Sequence, residues 1–298
     1  MDREGKIFYN QGSASKLGWV PSWFGATNFD DELISNIEEF QDSHDLSPDG
    51  LCGPLTYRRV RTDREAAFEM VRPSGVIADG KEIPIDWGKV VNLTNEGNFA
   101  LPAGCYRSVS RKRIPTMVVT HWDAALSAKS CYNILKKRDI SSHFVIDNDG
   151  TIYQMVDTQN IAWHAGIRRV NNVSVGIDFS NAYYLKYQGY YRKKGFGNRP
   201  VLSDSQVHGR KLKSHLGYYP IQIEAYKALL KCLHSHYHIE LKCPLEVGGR
   251  MLWGVSKEAA EAKFKGVVSH YHLTTRKIDC AGLQIDEIIK QIKEEADA

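Results

Sequence analysis

The chain has 298 residues, of which 42% are hydrophobic and 25% are charged, a composition that suits packed domains and excludes a disordered chain. Lysine and arginine exceed aspartate and glutamate by 39 to 35, and this mild, scattered positive charge argues against a nucleic-acid-binding protein. The N-terminus MDREGKIFYN lacks the apolar core of a secretory signal peptide, and no run of about 18 apolar residues predicts a membrane span. The six cysteines are dispersed without CxxC pairs, which predicts reduced thiols.

Residues 1–70 are predicted to form a small helical domain. Asp30 is placed to cap a helix whose apolar residues keep helical spacing up to Phe40. A Gly-Pro step then places Pro54 in the first turn of a following helix. The pattern F-Q…L-x-x-D-G-x-x-G-P-x-T, from Phe40 to Thr56, resembles the three-helix peptidoglycan-binding domain of wall hydrolases. The alternative is an ordinary helical hairpin with a Gly-Pro turn.

Residues 71–113 are predicted to be a linker with irregular β segments, because glycine and proline interrupt every short apolar run. From residue 114 to residue 298 the pattern alternates between strands and helices, which predicts an α/β domain. Its predicted elements are a strand at 117–120, a helix capped by Ser127, a hairpin around 148–150, a strand at 173–179 and a long helix opened by Pro220. Residues 182–219 are predicted to be an insert that forms a loop over the cleft.

Two distant segments of this domain carry residues typical of a metal site. His121 follows the apolar run 117–120, and His270 precedes the triplet Lys277-x-Asp279. Two imidazoles and a carboxylate or thiolate are the ligands of a catalytic zinc, which keeps its fourth position for water. A lysine two residues before the last ligand adds a cation where an oxyanion forms.

Five motifs in chain order, THW, SHFVIDNDGTIYQ, AWHAG, SVGIDF and H…K-x-D, resemble the type 2 N-acetylmuramoyl-L-alanine amidases. That family includes phage endolysins and shares its fold with the peptidoglycan recognition proteins. The resemblance covers residues 114–290. It implies a central mixed β-sheet flanked by helices, with zinc in a cleft at the edge of the sheet. It also implies hydrolysis of the amide bond between N-acetylmuramic acid and L-alanine in peptidoglycan.

Carried over by position, the resemblance assigns His121, His270 and Asp279 as zinc ligands. His272 competes with His270, since on a strand it would project from the same face. Cys280 competes with Asp279, because a slip of one residue against the motif would select the thiolate, which also binds zinc. Both alternatives stay open at the level of the sequence.

The same resemblance predicts the residues that act around the metal. Lys277 stabilises the oxyanion, unless it is a solvated surface lysine. Asp178 stands where many family members carry a glutamate. There it could orient the attacking water or transfer a proton to the leaving amine. The alternative is a buried structural carboxylate. His164 matches a catalytic-cleft histidine, and Trp163 and Trp122 are predicted to contact the substrate, with a core tryptophan as the alternative for Trp163.

Taken together, the sequence predicts a zinc-dependent amidase that acts as a monomeric phage endolysin on bacterial peptidoglycan. The absence of a signal peptide suits an enzyme that accumulates in the cytoplasm of the host bacterium and reaches the wall after release. Neither nucleic acid nor a membrane is expected as a partner. The competing interpretation is a recognition module of the same fold that binds peptidoglycan without cutting it, a class that loss of a zinc ligand would mark.

Overall fold

The computed structural model describes residues 1–71 and 74–297, with the backbone alone for 64–71, 74 and 297. The chain divides into two compact units, Met1–Arg72 and Pro73–Ala298. Within the described ranges, a helix with the length and apolar character of a bilayer span does not occur.

The first unit is a small helical bundle. It consists of α1 (Arg3–Leu17), a 3₁₀ helix (Pro21–Phe24), α2 (Asp31–Ser43) and α3 (Pro54–Val71). Asp30 caps α2 as predicted, because its carboxylate accepts a hydrogen bond from the Leu33 amide at 3.2 Å. Its core contains Trp19, Phe24 and Ile37, so the unit buries an apolar centre of its own.

The residues of the motif between Phe40 and Thr56, which resembles a wall-binding domain, form hydrogen bonds with one another inside this bundle. The Gln41 amide nitrogen donates to Asp49 Oδ1 and Thr56 Oγ1, both at 2.9 Å, and its oxygen accepts from the Gly50 amide. Gly50 has φ +71°, and a Cβ there would lie 2.8 Å from the Ile34 side chain, so the turn requires glycine. These motif residues therefore stabilise the link between α2 and α3, and a ligand surface would have to use other side chains.

The second unit is built on a mixed sheet with helices on both faces. Its strands are β1 (Ser74–Ala78), β2 (Lys81–Ile85), β3 (Val90–Val91), β4 (Tyr106–Arg107), β5 (Met117–Trp122), β6 (Phe144–Ile146), β7 (Ile152–Gln154), β8 (Ile161–Ala162), β9 (Ser174–Phe179), β10 (Val201–Leu202), β11 (Gln206–Val207), β12 (Arg210–Lys211), β13 (His215–Leu216) and β14 (Gly266–Ser269). Its helices are α4 (Ala128–Lys137), α5 (Arg168–Val173), α6 (Gln188–Lys193), α7 (Pro220–Tyr237), α8 (Lys257–Ala260) and α9 (Ile285–Asp297), with 3₁₀ helices at Leu185–Tyr187 and His270–His272.

Six strands form the central sheet in the order β14-β5-β9-β6-β7-β3, which confirms the predicted fold class. The pairs β14–β5, β5–β9 and β9–β6 are parallel, and β6–β7 is the predicted antiparallel hairpin. Every residue of β5 and β9 is buried, as expected for strands covered on both faces. Val118 packs in the core beneath α7, whereas Val119 packs in the core beneath α5, so successive side chains serve opposite faces.

Two segments have structures that the sequence did not specify. The segment 71–113, expected to be a linker with irregular β segments, supplies β3 to the edge of the central sheet, where it pairs in parallel with β7. The segment that follows β14 turns into a 3₁₀ helix at His270–His272 instead of continuing as a strand. The expectation that His270 and His272 project from one face of a strand is therefore wrong, because a 3₁₀ helix turns side chains two positions apart to different directions.

Candidate metal centre and active site

Three neighbouring parallel strands deliver polar side chains to one edge of the sheet. His121 is the fifth residue of β5, Asp178 is paired with it on β9, and His270 directly follows β14, whose last residue pairs with Thr120. Since parallel strands end at the same edge, these three residues lie side by side. α7 is fixed to β5 one residue before His121, where the Tyr226 hydroxyl hydrogen-bonds to Thr120 Oγ1 at 2.6 Å.

Asp279 reaches the same edge from the loop after His270. Its Oδ2 lies 3.1 Å from His270 Nδ1 and 3.3 Å from His121 Nδ1, and the two Nδ1 atoms are 3.0 Å apart. All three side chains are buried. A backbone hydrogen bond from the Tyr271 amide to the Asp279 carbonyl holds the loop against the histidine turn. The structure thus brings together the three predicted ligands.

The electrostatics of this cluster favour the forms of Asp279 and His270 that bind metal ions. Burial alone would raise the pKa of Asp279, but the neighbouring imidazoles of His121 and His270 outweigh it and hold that pKa well below its usual range. Burial, together with the neighbouring His121, lowers the pKa of His270. A carboxylate and a neutral imidazole are the forms that bind metal ions.

The donor atoms fit a zinc ion. Bonds of about 2.0–2.1 Å in a tetrahedral site place its ligand atoms about 3.3–3.4 Å apart, close to the 3.0–3.3 Å found here. Two imidazole nitrogens and a carboxylate oxygen, all mutually within 3.3 Å, offer three possible metal ligands in one place. The chemistry of this donor set suits zinc.

The two alternative ligands lie elsewhere. His272 Nδ1 accepts the Ser269 amide at 2.9 Å and its Nε2 donates to the Leu252 carbonyl at 2.7 Å, so both of its ring nitrogens are used by the backbone. The Cys280 thiol is fully buried beside the Tyr218 hydroxyl, and burial raises its pKa well above the usual value. Among the described residues, the ligand atoms that lie within 4.8 Å of one another are those of His121, His270 and Asp279, and the Cys280 sulfur is not one of them.

Asp178 and Lys277 flank the cluster in different surroundings. Asp178 is buried at the cleft, where burial raises its pKa and the nearby His121 and the Ser142 hydroxyl partly oppose that rise. Lys277 is exposed at the rim of the cleft, and its backbone carbonyl accepts a hydrogen bond from His208 Nε2 at 2.9 Å. A buried carboxylate and an exposed ammonium therefore lie on the border of the candidate metal centre.

The cleft that contains these groups has a volume of about 340 Å³. Both predicted tryptophans line it, and Trp163 is 38% exposed whereas Trp122 is only 8% exposed. The ring of Trp122 stacks in parallel on Tyr183, with a centroid distance of 4.9 Å. Trp163 thus presents open surface to a ligand, while Trp122 contributes a wall whose ring is held in place by stacking on Tyr183.

His164 contacts His121 instead of facing the open cleft with a free nitrogen. Its Nδ1 lies 3.0 Å from His121 Nε2, and its Nε2 lies 3.1 Å from Ser174 Oγ, which donates to the Val170 carbonyl at 2.8 Å. One set of tautomers satisfies the whole chain of hydrogen bonds and leaves His121 Nδ1 as the free acceptor. A Cβ at Gly176 would lie 2.6 Å from the His164 ring, so glycine is required for this approach. His164, predicted as a catalytic residue, thus lines the cleft with both ring nitrogens engaged in hydrogen bonds, one of them to His121.

Substitution of His164 by alanine is expected to lower Zn²⁺ affinity by about 10- to 100-fold, because His121 loses the partner that fixes its tautomer and orientation. His164→Asn places Oδ1 where Nδ1 lies and should recover most of the affinity, whereas His164→Gln should not. Competition with a chelator measures the affinities, and thermal unfolding in metal-free buffer controls for folding. Equal affinities in the wild type and the alanine variant would contradict the role of His164.

Sequence reasoning missed two residues of this site. Ser174 stands inside the SVGIDF motif, but its link to His164 depends on α5 and β9 meeting at that point. Tyr183 lies at the start of the insert and lines the cleft, and nothing in its local sequence indicates that its ring stacks on Trp122.

The second unit contains the region that matches a known protein family. The family model described as N-acetylmuramoyl-L-alanine amidase matches residues 111–281. No curated protein matches the chain. Among solved structures, the E. coli N-acetylmuramyl-L-alanine amidase AmiD, in complex with the substrate anhydro-N-acetylmuramic acid-L-Ala-D-gamma-Glu-L-Lys, is 21% identical, with a TM-score of 0.40 over 63% of this chain and 60% of that chain.

Two further structures are similar at the same level. AmpDH3 from Pseudomonas aeruginosa, in complex with anhydromuramic pentapeptide, is 19% identical, with a TM-score of 0.40 over 65% of this chain and 66% of that chain. The N-acetylmuramoyl-L-alanine amidase LysC from Clostridium intestinale is 17% identical, with a TM-score of 0.39 over 65% of this chain and 96% of that chain. The chain thus spans less than two thirds of AmiD and of AmpDH3. Because the family model covers more than half of its 298 residues, this chain belongs to the N-acetylmuramoyl-L-alanine amidase family.

Proposed function

We propose that the protein hydrolyses the amide bond between N-acetylmuramic acid and L-alanine in bacterial peptidoglycan, and that it depends on zinc. The observation that carries this proposal is the buried triangle of His121, His270 and Asp279 in an open cleft. A member of this amidase family with a complete donor set has the means for catalysis, whereas a pure recognition module does not need it.

The residues around the triangle support separate roles. His121, His270 and Asp279 would hold Zn²⁺, which supplies Lewis acidity that polarises a carbonyl and acidifies water. The Asp178 carboxylate accepts a proton from the attacking water and returns it to the nitrogen of L-alanine as that amine leaves. The Lys277 ammonium stabilises the negative charge that develops on the carbonyl oxygen.

The first experiment measures new L-alanine amino termini released from purified peptidoglycan by the full-length protein, with and without a zinc chelator. Release that the chelator stops and added Zn²⁺ restores is the expected result. Sedimentation of the protein with the wall without any release would instead favour the recognition module.

We further propose that the helical unit binds the wall and that the protein is a monomeric phage endolysin that accumulates in the host cytoplasm before release. Support comes from the bundle of three helices, whose Gln41-centred network uses the motif residues shared with wall-binding domains. The separate cores of the two units allow each to act alone.

Deletion of residues 1–72 is therefore expected to weaken sedimentation with insoluble walls by about tenfold or more, since a tethered second site raises the effective concentration of the first. Cleavage of a small soluble muropeptide should change little, because the cleft lies in the second unit. Pelleting assays and amino-terminus release measure the two quantities in parallel. An equal loss of both would reject the modular arrangement.

A further inference from the structure

A second groove continues from the candidate active site along the insert 182–219. We name it the insert groove, and its lining includes Trp122, Tyr183, Tyr184, Lys186, Lys213 and Ile278. Its volume is about 390 Å³. Trp122 and Tyr183 line both this groove and the catalytic cleft, and Ile278 lies between Lys277 and Asp279 in the chain. A substrate bound at the metal centre can therefore extend directly into the insert groove.

The wall that the two cavities share is held in place by several contacts. Tyr183 has φ +40°, a left-handed backbone conformation that costs energy for a residue with a side chain. Its amide donates to Asn181 Oδ1 at 2.9 Å and its carbonyl accepts from the Leu216 amide at 2.7 Å. Its ring packs between Trp122 at 4.9 Å and Tyr184 at 4.0 Å between centroids. These contacts fix the strained residue at the junction of the two cavities.

The insert itself is anchored by a buried cation. Arg199 is 2% exposed, and its guanidinium donates to the Gly217 carbonyl at 2.7 Å and to Asn148 Oδ1 and the Ser180 carbonyl, both at 2.5 Å. The same group lies between two aromatic rings, 4.5 Å from Tyr191 and 4.4 Å from Tyr219. The groove is therefore formed before a ligand arrives, which lowers the entropic cost of binding.

The positive charge of the insert groove favours a negatively charged ligand. Among the described residues that line it, two are lysines and none is acidic, and the remainder are mostly aromatic or aliphatic. The Lys186 ammonium lies over the rings of Tyr184 and Tyr187, at 5.4 and 5.0 Å, which holds it near the rim. Such a surface suits an extended ligand that carries carboxylates and small apolar side chains.

We propose that the insert groove binds the peptide stem of the substrate and that Lys186 and Lys213 recognise its carboxylates. The inference rests on the proposed amidase function, because the stem is the anionic part of a muropeptide that begins at the scissile bond. The glycan strand is a weaker candidate, since its repeating sugars carry no carboxylate once the lactyl group is in amide linkage.

The test compares two substrates with the full-length protein loaded with zinc. One is N-acetylmuramoyl-L-alanine, which has no further stem, and the other is anhydro-N-acetylmuramic acid-L-Ala-D-gamma-Glu-L-Lys. Lys186→Ala/Lys213→Ala should lower kcat/KM for the long substrate by about three- to tenfold, as expected for two exposed ion pairs, and leave the short substrate unchanged. Raising the salt concentration should reduce the wild-type preference for the long substrate.

The matched control is Lys193→Ala/Lys194→Ala, which removes the same charge from exposed positions of the insert outside the groove. If Lys186→Ala/Lys213→Ala lowered kcat/KM equally for both substrates, or for neither, the proposal would be overturned. A fall in kcat/KM confined to substrates with longer glycans would show that the groove binds sugar instead. If the wild type cleaved neither substrate, the amidase function would fail separately. Calorimetric titration with the free peptide L-Ala-D-gamma-Glu-L-Lys would then decide the groove, with loss of binding in the Lys186/Lys213 variant as the expected result and unchanged binding as the contrary one.

Discussion

Replacement of Asp279 by alanine is expected to lower Zn²⁺ affinity by more than about 100-fold and to remove measurable amidase activity, because a direct ligand contributes more than its supporting residues do. Asp279 Oδ2 is the anion shared by His121 and His270. Without it, two buried imidazoles remain as the only candidate ligands of this cluster. Chelator competition and metal analysis of the purified variant measure the loss.

Cys280→Ser provides the control for this experiment, because it changes the neighbouring candidate ligand by a single atom. The variant should bind Zn²⁺ like the wild type, since the Cys280 side chain lies beside Tyr218 and is not among the clustered ligand atoms of the described residues. The reverse pattern, with zinc lost from Cys280→Ser and kept by Asp279→Ala, would establish the thiolate as the third ligand.

Asp178→Asn is expected to lower kcat by about 100-fold or more while Zn²⁺ affinity changes little, as for the loss of a general base. The amide keeps the size of the carboxylate but cannot accept a proton. Steady-state cleavage of a soluble muropeptide measures kcat, and chelator competition shows that the metal centre is intact. A kcat within about threefold of wild type would assign Asp178 a structural role instead.

The stability of the same variant gives an independent check. Burial raises the pKa of Asp178 in the folded, metal-free protein above the unfolded value of about 3.9. At pH values between the unfolded and the folded pKa, the folded state binds more protons than the unfolded state, so the free energy of unfolding falls as pH rises. Above the folded pKa, the ionised carboxylate lowers the free energy of unfolding by a constant amount. Asp178→Asn removes this cost, and its Tm at pH 7 in the presence of a chelator should equal or exceed that of the wild type. A clear fall in Tm would show that the carboxylate makes stabilising contacts instead.

Local signals in the sequence predicted much of the architecture. Asp30 and Ser127 cap helices as expected, Pro220 opens α7, and the turn at 148–150 joins an antiparallel hairpin. Capping, proline placement and turn chemistry act within a few residues, so the sequence displays them directly. The pairing of β3 with β7 was not predicted, because it joins segments far apart in the chain through a strand of only two residues.

The sequence alone predicted the residue types of the candidate site, since two histidines, an aspartate and a lysine in family order are typical of a zinc amidase. Which of two neighbouring histidines lies in the cluster depends on the tertiary structure. A 3₁₀ turn after β14 directs His270 to the cluster and His272 to the Leu252 carbonyl. Such choices depend on where a strand ends and on what packs against it, and these are properties of contacts between distant segments. For the same reason, the contact of His164 with His121 and the junction at Tyr183 became visible only in the folded chain.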